Sequence, residues 1–332
     1  MKPSWFLALI APAFLANSPA ADLYTTDFEA FPVGDNLWAD TEGWVSNDTT
    51  NGVQGILQDF VTELPLGKTA FLGFDRPAGA LTRVFRPVSH DPAATGLPIV
   101  EFESFLGVQD STNSLRDLFS ISFYDGGGTF LAAVVFDNTG NEAEMLRWRG
   151  LEDDSIESHP TGVPFVRGDQ IFGLVALQIL GVQINLAANT WSAQLDGIPL
   201  FADETFSDPA LAPFTLGSTA AEWELGNPVP AFAGDNWLFV ADWIVRAAPE
   251  PSEPFELQSI TRNAAGQTTV TWLGEAGFDY QVLYSDDLMT WRHDDLPNSS
   301  YPGIATDGLL SFTDPDSNPD PRYYRVERVP TP

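Results

Sequence analysis

Residues Val182–Phe201 read V-Q-I-N-L-A-A-N-T-W-S-A-Q-L-D-G-I-P-L-F, and their spacing decides the fold. Val182, Ile184 and Leu186 alternate with Gln183 and Asn185, and Trp191, Ala193 and Leu195 alternate with Ser192 and Gln194. A period of two puts apolar side chains on one face of a pleated strand and polar ones on the other. Ala187–Thr190 turns the chain once. Asp196-Gly197 tolerates the positive φ values of a two-residue hairpin and turns it again into Ile198–Phe201. Strands with one buried face need a second layer to cover them, so the expected class is all-β, an antiparallel β-sandwich.

Outward from this block the same reading gives candidate strands at Leu23–Glu29, Ala70–Phe74, Leu81–Val88, Ile99–Leu106, Leu118–Tyr124 and Phe130–Asp137. Met145–Arg149, Ile171–Ile179 and Trp237–Arg246 complete the set. Asp125-Gly126-Gly127-Gly128 closes Leu118–Asp137 into a hairpin. Many short strands at turn-limited spacing, with almost no helical period, point to a sandwich or jelly roll.

The chain of 332 residues carries 46 acidic against 15 basic residues, a formal charge of −31. Only two of the bases are lysines, Lys2 and Lys68. Such a surface repels nucleic-acid phosphates and anionic lipid heads, which argues against both partners. There is no cysteine, so thiol catalysis, thiolate metal sites and a disulfide framework are excluded. Met1–Ala21 has one basic residue, the apolar run Trp5–Leu15 and a small-residue tail, as a secretory signal does. The run is shorter than the roughly 20 residues a membrane span needs. Secretion without membrane insertion is the expectation. A second boundary falls at Ala247–Pro254, A-A-P-E-P-S-E-P, whose prolines make an extended linker. The expected layout is a signal peptide at 1–21, a large domain at 22–246, the linker at 247–254 and a small domain at 255–332.

Four stretches stand out: D-F-E at Asp27–Glu29, S-I-S-F-Y-D-G-G-G-T-F at Ser120–Phe130, N-T-W-S-A-Q-L-D-G at Asn189–Gly197 and G-D-N-W-L-F-V-A-D-W-I-V at Gly234–Val245. Through them Asp22–Arg246 resembles the concanavalin A-like lectin/glucanase (LamG-type) jelly roll. The resemblance implies a jelly-roll sandwich and a fold that hosts lectins, adhesion modules and glycosidases alike. The tail resembles a fibronectin type III-like module through T-V-T-W (Thr269–Trp272), Y-Q-V-L-Y-S-D-D-L-M-T-W (Tyr280–Trp291) and R-Y-Y-R-V (Arg322–Val326). That likeness implies a small immunoglobulin-like β-sandwich with a spacing or attachment role, Trp272 and Tyr324 in its core and the tyrosine hydroxyl on a backbone partner.

Four groups of residues invite a functional reading. Trp38 and Trp44 lie in loop-like sequence, Trp148 stands between two arginines and Trp223 between two glutamates, so these four form a shortlist for stacking on sugar rings. Glu29 on the first strand and Asp242 on the last, helped by Asp235 and Asn236, are candidate oxygen ligands for a calcium ion clipping the terminal strands. Asp242 is placed on the Leu238/Val240/Ile244 face, where a carboxylate needs a cation or a hydrogen bond. The Asp314–Asp320 string lacks the glycine and final glutamate of an EF-hand and reads as a proline-stiffened turn. Glu101 and Glu103 share one strand face, as an acid/base pair or as part of a solvated surface. Glu152, Asp154 and Glu157 fit the E-x-D-x-x-E string of laminarinase-like glycosidases. Asp153 and Ser155 break the required apolar alternation, and the string reads as an exposed acidic loop. The three histidines, His90, His159 and His293, are scattered and read as surface loop residues, and neither H-E-x-x-H nor G-x-S-x-G occurs.

No credible catalytic set emerges. The first expectation is a secreted, non-catalytic protein that binds an extracellular glycan or a cell-surface component. A glycoside hydrolase or polysaccharide lyase of the same fold is the alternative, and a purely architectural envelope protein is the third reading.

Overall fold

The alternating block forms three strands, Gln178–Asn185, Thr190–Leu195 and Ile198–Thr205, paired antiparallel in that order. A computed structural model describes residues 20–58, 67–139, 145–152, 155–170 and 175–250. In the C-terminal part it describes 257–263, 265, 267–274, 279–285, 292, 300–301, 308–315 and 322–329. The chain divides into two units between Glu250 and Pro251. Most of the expected signal segment lies outside the described residues.

The larger unit is a sandwich of an eleven-stranded and a seven-stranded sheet. Among the described residues every pairing in it is antiparallel except a two-residue parallel contact of Arg167–Gly168 with Val108–Gln109. In the larger sheet Gln178–Asn185 lies along one edge of Ile99–Gln109. The other edge is shared by Trp237–Val240, against Leu106–Gln109, and Trp243–Ala248, against Ile99–Glu103. The first strand, Ala21–Thr26, closes on Trp243–Ala248. The smaller sheet runs Ser155–Pro164, Met145–Glu152, Phe130–Asp137, Leu118–Tyr124, Leu216–Glu224, Leu81–His90, Val45–Ser46. Between the sheets the apolar halves of the alternating strands form one cluster that includes Phe102, Phe119, Ile121, Val134, Val182, Trp191, Trp223 and Trp243.

Three corrections to the strand reading position the site. Trp237–Arg246 is not one strand. From Val240 to Ile244 the chain advances four residues while its partner advances three, from Leu106 to Glu103. One extra residue reverses the alternation. Trp243 and Val245 therefore face the core, and Asp242 turns away from the Leu238/Val240 face assigned to it. Leu216–Glu224, L-G-S-T-A-A-E-W-E, is a central strand that small residues hid, because its burial shows no period of two. Of the acidic string, Glu152 ends the strand Met145–Glu152, residues 153–154 lie outside the described residues, and Glu157 stands in the edge strand Ser155–Pro164, whose pairing with Met145–Glu152 slips between Met145 and Arg147 so that Thr161–Val163 bulge out. Edge strands tolerate proline, which is why Pro160 and Pro164 do not break it.

The smaller unit has two three-stranded sheets. One is Leu257–Arg262, Thr268–Gly274 and Gly308–Thr313; the other is Ser300–Tyr301, Asp279–Ser285 and Tyr323–Val329. Trp272, Val270, Tyr280, Val282, Tyr284, Phe312 and Val326 form its core. Tyr324 packs against that cluster, and its hydroxyl donates to the buried Asp314 carboxylate at 2.7 Å, not to backbone. Arg322 donates to the same oxygen at 2.8 Å and lies over the Tyr284 ring at 4.4 Å. Residues 316–320 of the Asp314–Asp320 string lie outside the described residues.

Candidate functional site on the solvent side of the smaller sheet

The seven-stranded sheet carries an organised polar network on the face turned away from the core. Alternation in Leu118–Tyr124 sends Phe119, Ile121 and Phe123 inward and Ser120, Ser122 and Tyr124 outward. In the neighbouring strand Trp223 goes inward, so Glu222 and Glu224 go out. Glu222 stands opposite Ser120 on one side and Arg83 on the other. Its carboxylate accepts from the Tyr124 hydroxyl at 2.6 Å, from Ser122 Oγ at 2.9 Å and from Ser120 Oγ at 3.3 Å. The Arg83 Nε–H donates to Oε1 as well, and the guanidinium lies 4.3 Å above the Tyr124 ring. Burial, with the nearby Glu222 charge next, drives the Tyr124 hydroxyl far above the usual tyrosine range, so it stays a proton donor.

Two further ion pairs share the face. Arg147 Nε donates to Asp137 at 3.0 Å, and Arg149 Nη1 donates to Glu224 at 2.8 Å. Between the long side chains lies a floor of small ones: Ser120, Ser122, Ala133 and Ala220. Such a surface alternates guanidinium donors with carboxylate acceptors, held by strands rather than loops. That is the requirement for a preformed binding surface.

The other candidate carboxylates gather on the outer face of the eleven-stranded sheet. Asp27, Glu29 and Asp242 line one cleft of about 340 Å³ together with Gly67, Phe105, Leu177 and Ala241. Sequence reasoning paired Glu29 with Asp242, and the structure brings both to this cleft. Glu29 is already engaged there. Its carboxylate accepts from the Lys68 backbone N–H at 2.8 Å, and Lys68 Nζ donates to the Glu29 carbonyl at 2.6 Å. Gly67 beside it has a φ of +67°, which favours glycine, and a Cβ there would fall 1.8 Å from Glu29 Oε1 and push that carboxylate aside. Burial pushes the Asp242 carboxyl above the ordinary range, and the charges of Asp27 and Glu103 add to the push. Burial raises Glu101 too, with Glu103 adding and Arg246 and Gln183 opposing.

Asp235 and Asn236 do not line this cleft. Asp235 is spent on a local turn: it accepts from the Thr112 N–H at 2.7 Å, the Asn113 N–H at 3.2 Å and the Ser111 and Thr112 hydroxyls. Burial works against that charge, but those bonds prevail and hold its carboxyl below the usual range. Asn236 is fully buried. Among the described residues no group of three or more carboxylate or imidazole side chains is gathered closely enough to hold a metal ion. The expected calcium clip is therefore not assembled by Glu29, Asp235, Asn236 and Asp242.

The tryptophan shortlist is corrected by burial. Trp38, Trp44 and Trp223 are at most 1% exposed and Trp148 is 8% exposed, which leaves no indole face for a sugar. Trp38 and Trp44 pack with Phe28 and Trp243 in an aromatic cluster, and Trp44 Nε1 donates to the Tyr24 hydroxyl at 2.9 Å. Trp223 Nε1 donates to the buried Asp117 at 3.0 Å, and Trp148 stacks on His159 at 4.1 Å. His90 is buried as well, its Nε2 2.8 Å from the Leu97 carbonyl, so it is not a surface residue. His293 and Asp154 lie outside the described residues. Sequence reasoning missed Arg83, Tyr124, Arg149, Glu222 and Glu224 as site residues. The available signal was E-W-E at 222–224: a tryptophan between two acids on a strand is the inward member of an outward pair.

No family profile matches the chain, and none of the curated proteins does. Solved structures with a similar arrangement include a carbohydrate esterase from the Shiga toxin-encoding bacteriophage phi24B. It has TM-score 0.47 and 11% identity, covering 69% of this chain and 100% of that one. An alginate lyase, Aly36B, gives TM-score 0.45 and 9% identity over 68% of this chain and 98% of that one. The carbohydrate recognition domain of Emp47p gives 0.44 and 10% over 70% and 99%. Of a sialidase the chain spans only 19%, at TM-score 0.41 and 10% identity. Likeness at this level concerns the fold alone.

Proposed function

We propose that the protein is exported and binds an extracellular glycan without transforming it, using the solvent-side face of the seven-stranded sheet. The observation that carries this reading is the Glu222 network: a nearly buried outward carboxylate fixed by Arg83, Tyr124, Ser120 and Ser122. Sugar hydroxyls both donate and accept, and paired guanidinium and carboxylate groups offer both at fixed positions. The formal charge of −31 accords with a ligand that is not a polyanion. The small C-terminal unit, read as a fibronectin type III-like module, serves as the spacer or attachment piece.

Retention of the full chain on immobilised neutral polysaccharides tests the reading. Arg83→Gln is expected to weaken binding about tenfold, the usual consequence of losing a charge-assisted hydrogen bond. No retention on any polysaccharide removes the proposal. A hydrolytic reading draws on one observation, the raised Glu101 carboxyl beside Glu103, because a general acid needs its proton near neutral pH. Sugar-chain cleavage by the wild type, abolished in Glu101→Gln, would favour it over simple binding.

A further inference from the structure

The Arg149–Glu224 ion pair spans an unexpected distance. Strand pairing puts Arg149 opposite Ala133, Ala133 opposite Ser122 and Ser122 opposite Ala220. Glu224 lies four residues beyond Ala220 in the same strand. The two residues are thus three strand spacings apart across the sheet and four residues apart along it. On a flat sheet their Cα atoms would be separated by roughly 20 Å. Extended arginine and glutamate side chains joined by a 2.8 Å hydrogen bond fall short of that. The sheet is therefore bowed toward this face, with this diagonal shortened by the twist.

The diagonal passes over the intervening row, where Val135 stands opposite Ser120. Both point away from the core, since Val134 and Ile121 beside them belong to it. Yet Val135 is 0% and Ser120 is 6% exposed. Side chains that point away from the core are thus shielded from water on this face.

We propose that the Arg149–Glu224 pair is a strap across the concave face, which a neutral polyhydroxyl ligand must part to reach Ser120, Ser122 and Glu222. The identity of the ligand rests on the glycan-binding reading above; the strap itself rests on register and burial. A neutral ligand fits because each arginine of the face already meets a carboxylate: Arg83 with Glu222, Arg147 with Asp137, Arg149 with Glu224. Hydroxyls can take over both ends of a parted pair, whereas an anion would satisfy Arg149 and leave Glu224 without its partner. The pair is partly exposed, Arg149 23% and Glu224 45%, so it opens at modest cost and is screened by salt.

The chain has no cysteine, which allows a test that needs no ligand. A single thiol from Ser120→Cys is labelled with a neutral maleimide. With the strap closed the thiol is protected. Adding Glu224→Gln or Arg149→Gln, which break the pair from opposite ends, is expected to speed labelling about fivefold, the scale of a surface ion pair. High salt is expected to speed labelling of the single variant and to leave the double variants unchanged. Equal rates in all three proteins overturn the strap, whatever the protein binds. In a second arm neutral β-glucan oligosaccharides are titrated into wild type and Glu224→Gln. Tighter binding by the variant supports the gate, and unchanged or weaker affinity overturns it. Faster labelling with no oligosaccharide bound by either protein keeps the strap as a structural device and rejects the glycan reading.

Discussion

The two outer faces of the sandwich carry the same kinds of side chain and treat charge in opposite ways. On the seven-stranded sheet Glu222, Glu224 and Asp137 each meet an arginine. On the eleven-stranded sheet the charges of Asp27 and Glu103 add to the burial that raises the Asp242 carboxyl, and burial raises Glu101 nearby against the opposing charge of Arg246. Alternation put Glu222, Glu224, Asp137, Glu101 and Glu103 outward, and the extra residue before Trp243 turned Asp242 to the same side of its own sheet. What differs is which base the neighbouring strand supplies at the matching register.

The largest expected effect comes from removing the shared acceptor. Glu222→Ala leaves Arg83, Tyr124, Ser120 and Ser122 without their common partner. It should cost about 3 kcal/mol in urea unfolding, the scale of a broken, mostly buried ion pair. A loss below about 1 kcal/mol would mean that water replaces the carboxylate and the network is merely a wet surface.

Next comes the opposite sign on the other face. Asp242→Asn removes like-charge repulsion from a half-buried position and should stabilise the larger unit at pH 7 by about 0.5 kcal/mol, after allowance for solvent screening. Destabilisation instead would show that Asp242 has a favourable partner and that the contrast between the faces is false.

A pH series gives the smallest effect and the sharpest comparison. Glu101 and Asp242 have folded-state carboxyls above the ordinary range, so the unfolded chain releases those protons first. Their contribution is full below the ordinary carboxylate pKa and falls as pH rises through the raised values. Asp48, Asp110 and Asp235 are held below the ordinary range, so their contribution is present above it and fades only as pH falls through the lowered values. For Asp48 and Asp110 burial is the largest influence and acts upward, and the hydrogen bonds outweigh it. The double variant Glu101→Gln, Asp242→Asn is expected to lose the decline in stability as pH rises above the ordinary carboxylate range while keeping the acid limb. An unchanged profile would remove the repulsive face from the account.

Much of the fold was legible because alternation survives wherever one sheet face is buried and the other is wet. Leu118–Tyr124 and Phe130–Asp137 emerged with the bounds the pattern predicts. Leu216–Glu224 did not, because alanine, serine and threonine on a central strand leave no apolar rhythm to read. That omission cost the site. Without this strand Glu222 had no place on a face, and Trp223 passed for an exposed platform. Asp242 failed differently: one extra residue before it reversed the phase, and a bulge has no composition of its own. Glu29 and Asp242, paired in the sequence reading, line one cleft, with Glu29 in the turn that follows Ala21–Thr26 and not on the strand itself. The strap across the smaller sheet could not be read at all, because it depends on how far a sheet bows.

The rim of the smaller sheet limits how such molecules meet. Open strand edges invite the edge of another molecule, and this chain has no disulfide to hold its own edges in place. At Ser155–Pro164, Pro160 and Pro164 lack the amide hydrogen a newcomer would require, and the swelling at Thr161–Val163 spoils the straight run beside them. Restoring a regular rim, by shortening that swelling and replacing both prolines, would leave a straight row of amides and carbonyls open to pairing with a second copy, strand to strand.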